Sequence, residues 1–237
     1  MNFIFNSEII DYNYIDNKKD RNLIFLHGWG GNKFSFQSTI KMLKNFNILT
    51  ITMPTISPTK KVWTMETYRD LVLNLTRLLN ISSAVIVCHS FGFRVASMLN
   101  GLFDIEKVVV TGGAGLKRTN RLKQIENENN IILLRQVRFK YLYKSLASKD
   151  YIALSDTNKR TFNQVVNCVT TPLIRFTCPM LLFWGKSDHE TPLWMAKKIK
   201  KKNDAKLILT GSGHFAYIDY NAEFNHEVVR FLNDIHS

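Results

Sequence analysis

Six short apolar runs recur along the chain, separated by longer segments with helical periodicity. Near-continuous apolar runs of this length are typical of strands buried on both faces of a parallel sheet. The runs are NLIFLHG, FNILTIT, SAVIVCH, EKVVVTG, MLLFWGK and KLILTGS. Between them, TMETYRDLVLNLTRLLN spaces its apolar residues as a helix does. The alternation predicts an α/β protein with a doubly wound, mostly parallel sheet, in which the opening MNFIFNSEIIDYNYID forms an antiparallel edge hairpin.

One long segment interrupts this alternation. Residues 117–173 contain helical patterns such as NIILLRQVRFKYLYKSLA but no convincing strand. An all-helical excursion between two sheet strands is typical of a lid over one edge of the sheet. We therefore expect a core formed by residues 1–116 and 174–237 and a helical lid formed by residues 117–173.

The chain is strongly basic, with 32 Lys and Arg against 19 Asp and Glu and a formal net charge of +13. Such a balance fits an acidic partner, a nucleic acid, an anionic membrane or a lysine-rich solubilising surface. The densest lysine run, AKKIKKKND, is expected to be a solvated helix end, because no aromatic stacking pattern or groove-reading motif accompanies it. Nucleic-acid binding is therefore not expected. Residues 117–160 hold eleven Lys and Arg against four Asp and Glu, so the predicted lid is basic.

The remaining bulk features favour a cytoplasmic protein without a bound cofactor. No window approaches the roughly 18 apolar residues of a membrane span, and the first residues lack the basic lead and cleavage site of a signal peptide. The three cysteines, Cys88, Cys168 and Cys178, have neither C-x-x-C spacing nor a histidine cluster beside them. Neither a disulfide framework nor a metal site is expected.

Reactive residues follow four of the predicted strands. They lie in HGWGG at 27–31, in CHSFG at 88–92, in WGKSDHE with Asp188, and in GSGHF with His214. Ligands of open α/β sheets gather beyond the carboxyl ends of the strands. The chain order Ser, Asp, His is that of an α/β-hydrolase triad.

With these motifs the chain resembles the α/β-hydrolase family, in its serine hydrolase and carboxylesterase branch with a helical lid. The similarity extends over nearly the whole sequence and includes VWTMETYRDLV, CPMLLFWGKSDHETPL and the lid segment SKDYIALSDTNKRTFNQVVN. The resemblance implies the α/β-hydrolase fold and hydrolysis through an acyl-enzyme.

Three residues are the candidate catalytic triad. Ser90 is the expected nucleophile, because a strand-to-helix turn exposes its hydroxyl and a nearby base would activate it. His214 is the expected base, since it is the histidine in a glycine-rich loop just after the last strand. Asp188 is the expected residue that orients His214, and Glu190 is the alternative for this role.

Backbone amides of Trp29 and Phe91 are the expected oxyanion hole, one in the HGWGG turn and one directly after the nucleophile. The side chains of Trp29, Phe91, Trp194 and Phe215 are the candidate walls of an apolar substrate pocket.

Two departures from the family pattern stand out. Position 88, which normally holds glycine, holds Cys88, and we expect its thiol to be buried and inert beneath the turn. The loop after the FNILTIT strand reads ITMPTISPTK, which keeps Pro54 but lacks the usual glycine. That loop is expected to differ in shape.

The leading functional hypothesis is cleavage of a small-molecule or carrier-bound carboxylic ester, or a thioester or amide, on Ser90. A narrower alternative is a pimeloyl-acyl-carrier-protein methyl ester esterase of biotin synthesis, because a basic lid suits an acidic carrier protein. Carbon–carbon bond hydrolases and lyases with this triad are open alternatives. A non-catalytic ligand-binding or interaction protein is the alternative from another class.

Overall fold

The computed structural model describes residues 1–116 and 154–234. An eight-stranded sheet in the order β1-β2-β4-β3-β5-β6-β7-β8 forms its centre. The strands are β1 Asn2–Phe5, β2 Glu8–Ile15, β3 Asn22–Leu26, β4 Asn47–Ile51, β5 Ser83–His89, β6 Asp104–Thr111, β7 Met180–Gly185 and β8 Ala205–Thr210. Strands β1 and β2 form an antiparallel hairpin, and β2 also pairs antiparallel with β4. The strands from β3 to β8 pair with one another in parallel. The predicted edge hairpin and all six predicted parallel strands are confirmed.

Helices cover both faces of the sheet. They are α1 Gln37–Ile40, α2 Met65–Leu78, α3 Phe91–Leu99, α4 Asp156–Asn167, α5 Leu193–Lys202, α6 Ala216–Asp219 and α7 Asn221–Asn233, with a 3-10 turn at Thr171–Leu173. Buried side chains of α2, α3 and α5 join one core cluster, and those of α6 and α7 join the other. The sheet is therefore doubly wound, as the sequence predicts.

Strand β3 shows how the sheet serves both cores. Ile24 and Leu26 belong to the cluster under α2 and α3, and Leu23 and Phe25 belong to the opposite cluster. Successive strand residues point to opposite faces, so a strand buried on both sides has to be apolar throughout. This explains why the parallel strands read as unbroken apolar runs.

Helix α2 begins where its sequence supplies a capping box. The Thr64 hydroxyl accepts a hydrogen bond from the Thr67 amide, and the Thr67 hydroxyl accepts one from the Thr64 amide. This exchange satisfies two amide donors at the start of the helix. The helix buries Tyr68, Leu71 and Leu75 against the sheet, and burial of each such side chain contributes about 1.5–3 kcal/mol.

The predicted lid, residues 117–173, lies mostly outside the described residues. Its described part, from Leu154 onward, is helical and consists of α4 and the 3-10 turn. The lysine run forms the exposed end of α5, with Lys200, Lys201 and Lys202 in the last turn. Within residues 1–116 and 154–234, no helix has the length and apolar character to cross a membrane.

Candidate active site

Ser90 lies on a sharp turn between β5 and α3. Its backbone has φ 47° and ψ −109°, a conformation that residues with a Cβ rarely adopt. Two backbone hydrogen bonds hold the turn: Ser90 N donates to Thr111 O at 3.1 Å, and Ala114 N donates to Ser90 O at 3.1 Å. A Cβ at Gly92 would overlap the Leu26 carbonyl oxygen, so the glycine lets α3 pack directly against β3. The turn projects Ser90 from the carboxyl edge of the sheet.

His214 and Asp188 are in direct contact in loops that follow β8 and β7. His214 Nδ1 lies 2.9 Å from Asp188 Oδ2, and both residues are buried. The loops themselves are tightly joined, because Ser187 N donates to Ser212 O at 3.0 Å. A Cβ at Gly185 would overlap the carbonyl oxygens of Ser212 and Gly213, so glycine is needed for this close approach.

The Asp188 carboxylate is surrounded by donors. Its Oδ1 accepts from the amides of Glu190 at 2.9 Å and Thr191 at 2.8 Å, and its Oδ2 also accepts from the Thr191 hydroxyl at 2.7 Å. Burial raises the pKa of Asp188, but the hydrogen bonds and charge of His214 and the donors of Thr191 outweigh it and hold the pKa below its ordinary value. The aspartate is therefore anionic at neutral pH and orients the imidazole through a charged acceptor.

Glu190 occupies the opposite side of the same imidazole. Its Oε2 lies 3.4 Å from His214 Nε2, and its side chain is 48% exposed. The two candidate acids are thus separated by geometry, with Asp188 at Nδ1 and Glu190 at Nε2. The position that orients a catalytic histidine is the Nδ1 side, which Asp188 occupies.

The loop after β6 brings the Ser90 turn and the His214 loop together. Thr111, the last residue of β6, binds the Ser90 amide through its carbonyl oxygen. At the next residue, Gly112, with φ 55°, a Cβ would lie 3.0 Å from the His214 ring. His89, directly before Ser90, has its ring centre 4.7 Å from that of His214. Ser90, Asp188 and His214 therefore belong to loops that meet at one edge of the sheet.

Two other histidines near the site are structural in their contacts. His89 Nδ1 contacts Thr111 O at 2.9 Å, and His27 bridges Gly28 O at 2.6 Å and the Met53 amide at 2.8 Å. Burial, followed by the charge of His214, lowers the pKa of His89 to about 3. Burial lowers the pKa of His27 to about 4. Both rings are neutral at physiological pH.

The candidate oxyanion residues come from adjacent turns. Phe91 is the first residue of α3, so its amide has no acceptor within the helix. The rings of Trp29 and Phe91 pack edge to face with centres 5.6 Å apart. Gly30, with φ 77°, permits the tight turn after Trp29.

The four candidate pocket residues do not form one contiguous wall in the contacts of the described residues. Trp29 and Phe91 pack together, and Phe215 lies beside His89 and His214 at ring distances of 5.3 and 5.4 Å. Trp194, at the start of α5, is 36% exposed.

Cys88 lies beneath the turn. Its side chain is fully buried, and its Sγ donates to Val109 O at 3.4 Å. Burial raises the pKa of this thiol far above its ordinary value. A thiol in this setting is a poor nucleophile.

The loop that lacks the family's glycine is held by side chains instead. Asn158 of α4 donates to Thr55 O at 3.0 Å and to Ser57 O at 2.8 Å, and its Oδ1 accepts from the Thr59 amide at 3.2 Å. The Tyr68 hydroxyl donates to Pro54 O at 2.5 Å. The described part of the predicted lid segment is thereby anchored beside the candidate site.

Several site neighbours are absent from the sequence prediction. Thr191 binds both oxygens of Asp188, and Phe162 of α4 packs edge to face on Trp29 with ring centres 5.0 Å apart. Thr191 follows Asp188 by three residues, just before Pro192. This spacing is typical of a turn in which the aspartate side chain accepts hydrogen bonds from the following residues, and it is the signal by which the sequence could have indicated the contact. Nothing in the sequence pairs Phe162 with Trp29.

Known proteins share this fold and sequence pattern. Residues 23–227 match the profile of the alpha/beta hydrolase family. The uncharacterized hydrolase YugF of Bacillus subtilis strain 168 is 23% identical, and the match covers 86% of each chain. The solved esterase EaEST of Exiguobacterium antarcticum superposes with a TM-score of 0.72 at 15% identity, over 95% of this chain and 96% of the esterase. A meta-cleavage product hydrolase of Pseudomonas fluorescens IP01 superposes with a TM-score of 0.72 at 20% identity, over 98% and 97% of the two chains. The family match, which covers most of the chain, and the doubly wound sheet confirm the expected fold: this protein belongs to the alpha/beta hydrolase family.

Proposed function

We propose that this hydrolase cleaves a carboxylic ester through an acyl-enzyme formed on Ser90. The observation that carries the proposal is the buried Asp188–His214 pair, joined at 2.9 Å, beside a serine on a strained strand-to-helix turn. Strained backbone is retained where surrounding structure enforces it, and it is concentrated at functional sites. The similarity in fold to an esterase supports the same chemistry.

The proposed reaction has two halves. In the first, His214 Nε2 takes the proton of the Ser90 hydroxyl as Oγ bonds to the acyl carbon, and gives that proton to the departing alcohol as the C–O bond breaks. In the second, water loses a proton to Nε2 and attacks the acyl-enzyme, and Ser90 recovers the proton. Asp188 remains ionised throughout and stabilises the imidazolium.

The backbone amides of Phe91 and Trp29 would bind the oxyanion that forms on the acyl carbonyl oxygen. Removal of one such donor typically costs about a hundredfold or more in rate. The rings of Trp29 and Phe162 supply an apolar surface beside these amides. We propose that α4 is part of the lid over the acyl pocket.

A fluorophosphonate serine probe tests the proposal. We expect it to label the wild-type protein on Ser90, and we expect Ser90→Ala to lose both labelling and hydrolysis of short-chain aryl esters. Cys88→Ala is the matched control two residues away, because it removes the buried thiol but leaves the serine. Labelling that survives in Ser90→Ala would contradict Ser90 as the nucleophile, because another residue would then react with the probe. Absence of labelling in the wild type would contradict the acyl-enzyme and favour a non-catalytic role.

A carrier-bound ester is the narrower version of this proposal. The lid residues expected to bind an acidic acyl carrier protein are Arg135, Arg138 and Lys144, and they lie outside the described residues. Salt-sensitive binding of acyl carrier protein that is lost on reversal of these charges would support it, and unchanged binding would contradict it. A panel of esters, thioesters and carbon–carbon substrates of graded chain length identifies the class cleaved.

A further inference from the structure

Glu190 places a negative charge on the accessible side of His214. Its Oε2 lies 3.4 Å from Nε2, and its side chain is 48% exposed. Asp188, on the Nδ1 side, has a fully buried side chain. A substrate therefore meets the Glu190 charge rather than the Asp188 charge.

The proposed reaction fixes where the departing alcohol lies relative to this charge. Nε2 gives its proton to the leaving oxygen, and such a transfer needs heavy atoms about 2.6–3.2 Å apart. Since Oε2 is 3.4 Å from the same nitrogen, the leaving oxygen lies no further than about 6–7 Å from the Glu190 carboxylate. The rest of the alcohol begins at that point.

A half-exposed carboxylate at this distance distinguishes alcohols by charge. In a largely solvated setting, a unit charge on the alcohol that lies about 6 Å from the Glu190 carboxylate changes a rate or binding constant by about threefold. A cationic alcohol gains by this factor and an anionic alcohol loses. Effects of Glu190 on the imidazolium itself are common to all substrates, so they cancel in a ratio between two of them.

We propose that Glu190 is a specificity-determining residue that selects esters of positively charged amino alcohols over esters whose leaving group is neutral or anionic. The proposal rests on the proposed function, because the Ser90 reaction defines the position of the leaving group. It adds a statement about the alcohol half of the substrate.

Two methylphosphonate thioesters test this preference without any knowledge of the natural acyl group. One releases thiocholine, and the other releases its uncharged isostere, 3,3-dimethylbutanethiol. In both, Ser90 Oγ bonds to phosphorus, the P–S bond breaks, and the Ser90 proton leaves with the thiolate through Nε2. The same phosphonyl adduct remains on Ser90, so its rate of formation is measured by mass spectrometry in both cases.

The quantity compared is the ratio of the two second-order labelling rate constants, cationic over neutral. We expect Glu190→Gln to lower this ratio about threefold and Glu190→Lys to lower it further. The control is Asp104→Asn, which removes an exposed carboxylate at the far end of β6. Asp104 lies seven positions before Thr111, which is at the site, so about 23 Å of strand separates them, and the wild-type ratio should persist. Added salt should reduce the wild-type ratio.

The outcomes separate this proposal from the proposed function. If Ser90 is labelled but its ratio is unchanged in Glu190→Gln, the specificity proposal is overturned and the serine hydrolase stands. An equal fall in Asp104→Asn would also overturn it, because the preference would then reflect the net charge of the protein. If neither probe labels Ser90, the proposed function fails and the specificity proposal fails with it.

Discussion

The hydroxyl of Thr191 donates a 2.7 Å hydrogen bond to Asp188 Oδ2, the oxygen that also contacts His214 Nδ1. Thr191 is buried, and its carbonyl oxygen accepts a hydrogen bond from the Trp184 indole at 2.7 Å, which fixes the backbone that carries the hydroxyl. The orientation of the candidate base therefore depends on a residue that would not itself touch the substrate.

Replacing Thr191 with valine should slow turnover. Valine keeps the shape of the side chain but leaves one lone pair of Asp188 without its donor, and hydrogen bonds to charged groups contribute about 1.5–3 kcal/mol. We expect kcat for an aryl ester to fall about tenfold, with a smaller change in KM. Steady-state kinetics measure both constants.

Thr191→Ser is the matched control for this loss, because it restores the hydroxyl without the methyl group. Its kcat should lie close to that of the wild type. If the serine and valine variants are equally slow, packing of the methyl group rather than the hydrogen bond is responsible.

The buried histidines predict a loss of stability in acid. His27 and His89 have pKa values of about 4 and about 3 in the folded protein, against 6.5 for an ordinary histidine. The unfolded chain therefore binds more protons below pH 6.5, and the free energy of unfolding falls as pH decreases from there towards pH 4. Each ring accounts for up to about 2 kcal/mol at pH 5. Urea unfolding at pH 8 and pH 5 measures the difference, and His89→Gln should reduce its size.

The burial of Cys88 predicts that its thiol resists alkylation in the native protein. Cys168 and Cys178 are partly exposed, so iodoacetamide should modify them first. Burial also raises the pKa of Cys178 to about 11, so its reaction should be slow at neutral pH. Peptide mass spectrometry after brief exposure, with and without urea, identifies each site. Modification of Cys88 in the native protein, accompanied by loss of activity, would instead make this a cysteine enzyme.

Gly92 should tolerate no side chain. Its added Cβ would meet backbone atoms of Leu26, which cannot move without displacing β3 from its neighbours in the sheet. We expect Gly92→Ala to lower the free energy of unfolding by about 1–3 kcal/mol, the typical cost of overpacking a core. Gly213→Ala is the control, since its nearest neighbour would be 3.9 Å away. Thermal denaturation of the two variants should differ by several degrees, and similar melting temperatures would show that α3 shifts to accept the methyl group.

The strands could be predicted from the sequence because parallel strands are buried on both faces. A run such as MLLFWG, fully buried in β7, has no polar position of the kind that a strand or helix with a solvent-facing side would show. The order of the strands in the sheet is less accessible, since it depends on which runs pair across long connections. The lid prediction concerns residues 117–173, of which only the part from Leu154 onward lies in the described structure.

The residues of the candidate site could be predicted from the sequence where a reactive residue directly follows a predicted strand. Ser90, Asp188 and His214 each follow a strand, and these three strand ends meet at one edge. The sequence cannot rank Asp188 against Glu190 beyond proximity to the strand, because both carboxylates are within reach of the histidine. Only the side-chain directions separate them: one faces Nδ1 and the other faces Nε2.

The backbone conformation of Ser90 lowers the stability of the fold. A residue with a Cβ at φ 47° and ψ −109° costs the fold about 1–3 kcal/mol, and glycine would adopt the same angles with little strain. Ser90→Gly should therefore raise the melting temperature while it removes the hydroxyl. Selection for a stable fold alone would favour glycine at position 90, so the strained serine found there supports the proposed role of its hydroxyl oxygen.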